Sequence, residues 1–357
     1  MVISTPRSGS TLLACLLDAT GDISVLKEPG FYPRATGVAP PRVLKTWTQR
    51  SLYLQSLWSA IPPSTYPEAK RAICEIAADH LSEELPIADA WRRYGHRVAE
   101  LRGRRKWGYT NPNPEWWRQE LALIPESHVV ILLREPFDVA ASFFGRGWGV
   151  LWRGGPYPSQ VRAAATALVV QEVVRSLAEA INDLPPERRT LVRFEELADS
   201  PESALESLTP VLGELDWSAA VRDYSETPIA RRSTQEGDLH DSLRRPIERS
   251  VGRRWTATMA QSDVRILRHV LAGSEPWLGY PTSGAPAALT DSETEALRRA
   301  ERILRRLQRT RTAKEQIGGK AKWLLSSMPT RIPSAVLNDR SPSAGEWQQR
   351  CESLGSK

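Results

Sequence analysis

"VISTPRSGSTLLACLLDATG", residues 2–21, holds a strand, a tight loop and a helix in one stretch. Val2 to Thr5 is a short apolar strand, and Leu12 to Ala19 carries its apolar positions at helical spacing. Between them the chain turns tightly through Gly9, leaving the backbone N–H groups of roughly Ser8 to Leu12 convergent at a helix N-terminus. Convergent amides on the positive end of a helix dipole form an anion site. Ser10 and Thr11 add hydroxyl donors, and Arg7 adds a cation at the mouth. A loop for nucleoside triphosphates has the form G-x-x-x-x-G-K-[ST], with its lysine on the β- and γ-phosphates. Here Gly9-Ser10-Thr11 stands where Gly-Lys-Thr would be, so the expected ligand carries less phosphate charge. The plainer reading of the same residues is a helix start capped by serine.

The rest of the chain alternates in kind. "SHVVILLREP" is the clearest strand, because Val129 to Leu133 is a continuous apolar run, as in a parallel strand buried on both faces. "DISVLKEP" (Asp22 to Pro29) reads as a short strand, and "TLVRFEEL" as another buried strand ending in charges. Helical patterns run from Trp47 to about Leu101, broken by "IPPSTYP", then over "PEWWRQELALIP", after "REP", and from about Val161 to Asp183. Strands alternating with helices predict an α/β three-layer sandwich: a central parallel sheet with helices on both faces. Such sheets bind ligands at the carboxyl ends of their strands.

After Gly279 to Pro286 the composition changes, so residues 1–285 are expected to form the main domain and 286–357 an appendage. "DSETEALRRAERILRRLQRTRTAKEQ" is a basic amphipathic helix with Leu297, Ile303, Leu304 and Leu307 on one side. That face suits packing on its own domain or a partner, or peripheral contact with an anionic membrane. Beyond Ile332 the sequence is polar with little periodicity, and loose order is expected.

Composition sets the bounds. With 357 residues, 41% hydrophobic and 25% charged, the chain is ordinary for a soluble globular protein. Its formal charge of +6 comes mostly from arginine, whose planar guanidinium suits phosphate or sulfate. No nucleic-acid-binding motif accompanies it. Cys15, Cys74 and Cys351 are too few and too scattered for a disulfide framework, and no metal-ligand spacing is present. With no apolar leader before the first strand and no membrane-length apolar run, a soluble cytoplasmic protein is expected.

A second constellation lies in "LLREPFDVAASFF". Arg134 stands at the carboxyl end of a buried strand, with Ser142 eight residues on in the following helix. Together they could clamp a second phosphate; alternatively Arg134 pairs with Glu135 or Asp138 on the surface.

Taken together, these residues resemble the sulfotransferases that use PAPS (3′-phosphoadenosine 5′-phosphosulfate) as donor. That family surrounds the 5′-phosphosulfate with P-[RK]-[ST]-G-[ST]-[ST], matched by Pro6, Arg7, Ser8, Gly9, Ser10 and Thr11. It binds the 3′-phosphate with an arginine and, eight residues later, a serine, matched by Arg134 and Ser142. The motif style is nearest to the bacterial carbohydrate and Golgi or tyrosylprotein types. "RFEELADSPESALESLTPVLG" and "VGRRWTATMAQSDVRIL…LGY" extend the likeness over roughly residues 2–282. The resemblance implies sulfuryl transfer from PAPS to a hydroxyl of a small-molecule, carbohydrate or glycolipid acceptor, with no metal. It also explains the absent lysine, because PAPS has no γ-phosphate.

Within that resemblance Arg7 would stabilise charge on the leaving oxygens, with Thr11 and the amides of Ser8 to Leu12 sharing the work. Glu28, just after the second strand, falls where one branch of the family has its base; otherwise it is a surface carboxylate beside Lys27. His80, His96 and His128 are weaker candidates. Arg253 and Arg254 would complete the 3′-phosphate site, or form a solvated basic turn. The departure is "WGYTNP", where Tyr109 replaces a lysine that relatives often carry; Lys27 could substitute, Arg7 could act alone, or activity could be lost. Several of the thirteen tryptophans, in "NPEWW" and "GRGWGVLWRGG", fall near the presumed acceptor cleft. Two other functions stay open: an atypical P-loop kinase, and a non-catalytic nucleotide-binding or scaffold protein.

Overall fold

The computed structural model describes residues 1–27, 43–44, 54, 67–80, 84–111, 114–145, 157–235, 242–247, 259–281, 284–316 and 343–355. Five strands make one sheet: β1 (Val2–Ser4), β2 (Ile23–Lys27), β3 (Lys106–Asn111), β4 (Val129–Leu133) and β5 (Arg189–Arg193). Their spatial order is β2-β3-β1-β4-β5, and every pairing is parallel. A parallel sheet needs a crossover between strands, and the helices provide it on both faces. The expected α/β three-layer sandwich is what forms.

The central strands show why. Val2, Val130 and Leu132 face one core, with Leu13, Leu16 and Trp91. Ile3, Val129, Ile131 and Leu133 face the other, with Val139, Val170 and Leu177. The period of two sends alternate apolar residues to opposite layers, so an unbroken apolar run is stable only between two helical layers.

The first layer holds α1 (Ser10–Ala19), α2 (Pro67–His80) and α3 (Ile87–Leu101). The second is built mainly from α4 (Trp117–Leu123), α5 (Pro136–Gly145) and α6 (Ser159–Asp183). Asp18 near the end of α1 grips Arg102 through two hydrogen bonds, 2.7 and 2.8 Å, and also accepts from the Val25 amide. Both side chains are buried. This bidentate pair fixes the far end of α1, and with it the direction in which α1 presents its N-terminus.

Two sequence expectations change. "TLVRFEEL" is not one strand: β5 ends at Arg193, and Phe194–Asp199 forms the short helix α7. Leu191 in β5 is exposed because β5 is an edge strand. After α8 (Pro201–Glu206), α9 (Thr209–Leu212) and α10 (Trp217–Asp223), α11 (Pro228–Gln235) and α12 (Gln261–Leu271) follow. The basic amphipathic helix is α13 (Asp291–Gln316), and it packs on α6, with Ala296, Ala300, Leu297, Ile303 and Leu304 joining the second core. Its apolar side is thus largely taken up within the protein, while Leu307 stays exposed. Near the C-terminus, Ala344–Gly355 is a helix, α14, not a loose tail, and it packs on α2 with Trp347 buried. The buried tryptophan supplies a large apolar contact between this otherwise polar segment and the protein surface.

Tyr109 is also resolved by register. Thr110 pairs with Val2 and Asn111 with Ile3, so Tyr109 stands level with Met1, at the amino end of β1 and away from the loop. It is buried among Trp91 and Trp107, and its hydroxyl donates to Glu120 at 3.3 Å. Lys106 lies farther down still, bound to Asp22 and the Leu212 carbonyl. Tyr109→Phe is therefore expected to lower stability by about 1 kcal/mol and leave nucleotide affinity unchanged. Denaturant unfolding beside a binding titration checks this; an affinity loss would return Tyr109 to the site.

Candidate active site

The sheet order defines where a ligand belongs. From β1 the chain leaves through α1 toward β2; from β4 it leaves through α5 and α6 toward β5, in the opposite direction. Neighbouring strands whose connections diverge open a crevice at their carboxyl ends. The loop of residues 5–9 follows β1, and Arg134 follows β4, so both sequence motifs meet at that crevice.

The loop is shaped by its own backbone. Arg7 has φ 70° and Gly9 φ 92°, both left-handed. Ser8 donates its hydroxyl to the Thr5 carbonyl at 2.6 Å, and its amide also reaches that carbonyl. Ser8 therefore closes the turn and does not cap the helix. Gly9 occupies the cap position with no side-chain cap, and no acidic residue lies in the first turn of α1. The serine-capped reading fails here. An uncapped helix start leaves its first amides for an anion.

By contrast α5 is already capped: the Glu135 carboxylate accepts from the amides of Phe137 and Asp138, at 3.0 and 2.7 Å. Burial pushes Glu135 up to about 7, against the pull of those two amides.

Arg134 is buried, only 4% exposed. Nη1 donates to the Arg7 carbonyl at 2.8 Å, while Nε and Nη2 have no hydrogen-bond partner among the described residues. Among the described residues it forms no ion pair with Glu135 or Asp138, so the surface-pair reading fails as well. Burial lowers its pKa, although the charges of Asp138, Glu195 and Glu135 act the other way. A buried guanidinium with two open N–H edges is costly unless an anion arrives to accept them. Ser142 is buried on α5 and accepts from Arg7 Nε at 3.4 Å. Arg7 thus touches both Arg134 and Ser142, one through its carbonyl and one through its side chain.

Of the other predicted residues, Thr11 is buried and Ser10 and Leu12 are half-buried in the first turn of α1. Lys27 ends β2 and donates to Ser233 on α11 at 3.0 Å, so its ammonium is directed at that helix. His128 immediately precedes β4 at the far end of the sheet, beside Thr190. His96 is exposed against Trp107. Glu28, Arg253, Arg254 and the side chain of His80 lie outside the described residues.

Sequence reasoning missed a group from the far strand. Phe194 lies under the Arg134 guanidinium, 4.4 Å from ring centroid to Cζ. Glu195 accepts from the Glu135 amide at 3.0 Å and from the Tyr280 hydroxyl at 2.8 Å. Arg193 stacks on Tyr280 and donates to the Gly279 carbonyl. The "RFEEL" and "LGY" segments were visible as a resemblance, but their meeting beside Arg134 is a property of the folded sheet.

Comparison with known proteins agrees with this geometry. The family model described as "Sulfotransferase family" matches residues 1–219, more than half of the chain, and the chain belongs to that family. The chemistry that defines the family is sulfuryl transfer. The nodulation protein NoeE of Sinorhizobium fredii (strain NBRC 101917 / NGR234) is 27% identical over 228 residues, 59% of this chain and 49% of NoeE. The chain thus spans about half the length of that curated relative. Among solved structures, the sulfotransferase domain from the curacin biosynthetic pathway has a TM-score of 0.50 at 19% identity, covering 79% of this chain and 97% of that domain. The sulfotransferase domain from the Synechococcus PCC 7002 olefin synthase has a TM-score of 0.46 at 20% identity, covering 74% and 91%.

Proposed function

We propose that the chain uses PAPS as its sulfuryl donor and a hydroxyl of a small-molecule, carbohydrate or glycolipid acceptor, releasing adenosine 3′,5′-bisphosphate. One observation carries the reading: Arg134 is buried with two unpaired N–H edges, next to the uncapped N-terminus of α1. One anionic group fits each of these, and a donor with separate 5′ and 3′ phosphates supplies both.

The residues divide the work. The amides of Ser8 to Leu12, with the Ser10 and Thr11 hydroxyls, would bind the 5′-phosphosulfate. Arg134 and Ser142, completed by Arg253 and Arg254, would bind the 3′-phosphate. PAPS supplies a sulfuryl group on a good phosphate leaving group. Glu28 would take the acceptor's proton as its oxygen bonds to sulfur. Arg7 and the helix start would stabilise the electron pair left on the 5′-phosphate as the bridging S–O bond breaks. The role of Arg7 in this scheme is charge stabilisation, as suits a guanidinium. No metal is required in this scheme. Cys15, Cys74 and Cys351 are free thiols, which fits a cytoplasmic setting.

Calorimetric titration with adenosine 3′,5′-bisphosphate tests the reading, with binding expected in the absence of magnesium. No binding would overturn it, and magnesium-dependent binding of ATP in its place would favour the kinase alternative. Sulfate transfer to any acceptor would exclude a non-catalytic scaffold.

A further inference from the structure

Phe194 touches both halves of the site at once. A Cβ built on Gly9 would lie 2.4 Å from Phe194 Cδ2 and 2.6 Å from Cε2, so the ring sits flush against the loop backbone. The same ring carries the Arg134 guanidinium, 4.4 Å from its centroid. Phe194 is itself buried, at 8% exposure. It is held from both directions: β5 pairs with β4 so that Arg193 aligns with Leu133, and Glu195 binds the Glu135 amide and the Tyr280 hydroxyl. The residues on either side of Phe194 are thus tied to the strand and turn that carry Arg134.

We infer that Phe194 is the positioning residue that sets the spacing between the phosphosulfate loop and the 3′-phosphate clamp. This rests on the donor-site reading above. The physical argument is one of orientation. An aromatic face beneath a guanidinium attracts the cation without using its in-plane N–H groups. Nη1 is then tied to the Arg7 carbonyl, which leaves Nε and Nη2 as the two open donors. Against Gly9, the opposite demand applies: any side chain there would collide with the ring, so the glycine is required for contact as well as for its positive φ. One rigid ring therefore fixes where the clamp stands relative to the loop.

The test compares two ligands on four proteins: wild type, Phe194→Ala, Phe194→Leu and Phe194→Tyr. Adenosine 3′,5′-bisphosphate and adenosine 5′-phosphate are titrated by calorimetry, and the dissociation constant of the 5′-phosphate divided by that of the bisphosphate reports the contribution of the 3′-phosphate. The alanine and leucine variants are expected to lower that ratio by about 10-fold, while affinity for adenosine 5′-phosphate changes much less. Phe194→Tyr keeps the face and should restore the wild-type ratio. If the alanine variant fails to fold, leucine and tyrosine carry the comparison. Equal weakening of both ligands, an unchanged ratio in the leucine variant, or a tyrosine variant as poor as leucine would each overturn the inference. Wild-type protein that does not bind the bisphosphate would overturn the donor-site reading and this inference with it. Wild-type binding with no effect of Phe194→Leu would overturn the inference alone.

Discussion

Glu28→Gln is expected to lower turnover by about 10²–10⁴-fold, the range for loss of a general base, while affinity for adenosine 3′,5′-bisphosphate stays within about twofold. In sequence the residue comes directly after β2. That strand ends at Lys27, aligned with Thr110 of β3, at the carboxyl end of the sheet. β2 is two strand spacings from β1, roughly 10 Å, on the side away from Arg134. Glutamine keeps the size and loses only the proton acceptor. Single-turnover rates with labelled donor, beside calorimetry, separate chemistry from binding. Retained turnover with lost binding would remove Glu28 from the role of base.

What could be read from the sequence was what is local. The strand, loop and helix of residues 2–19 are contiguous, and their spacing carries their geometry. Arg134 was equally legible, because a five-residue apolar strand ends immediately before it. The failures share one cause, which is that register and crossing contacts are tertiary. Tyr109 stood in the expected lysine's place along the sequence, yet the pairing of Thr110 with Val2 sets it at the wrong end of β1. "RFEEL" continued the apolar pattern of a strand, but its Phe194 turns into a helix to reach Gly9 and Arg134. The polar C-terminal residues gave no period, and α14 forms through Trp347 against α2, far away in sequence. The contact of Arg7 with Ser142 was likewise unreadable: two motifs assigned to opposite ends of one ligand lie in hydrogen-bond reach of each other.

Arg134→Ala should weaken adenosine 3′,5′-bisphosphate binding by about 1.5–3 kcal/mol, roughly 10–150-fold, as for a lost hydrogen-bonded charge. The protein's own stability should respond differently. In the unliganded protein Arg134 gains one hydrogen bond, to the Arg7 carbonyl, and a stacking contact on Phe194. Against these stand two buried N–H edges with no acceptor and a charge held at 4% exposure. Each unmet buried donor costs about 1–3 kcal/mol, which offsets or exceeds what the bond and the stack contribute. The alanine variant should therefore melt no lower than wild type by itself, and should lose the upward shift that the bisphosphate gives wild type. Arg134→Lys should recover little, because a point charge cannot replace the planar fork lying on Phe194. Thermal melts with and without ligand decide between a group held ready for an anion and a group that serves the fold. A variant that melts several degrees lower yet binds the bisphosphate as wild type does would assign Arg134 to the fold.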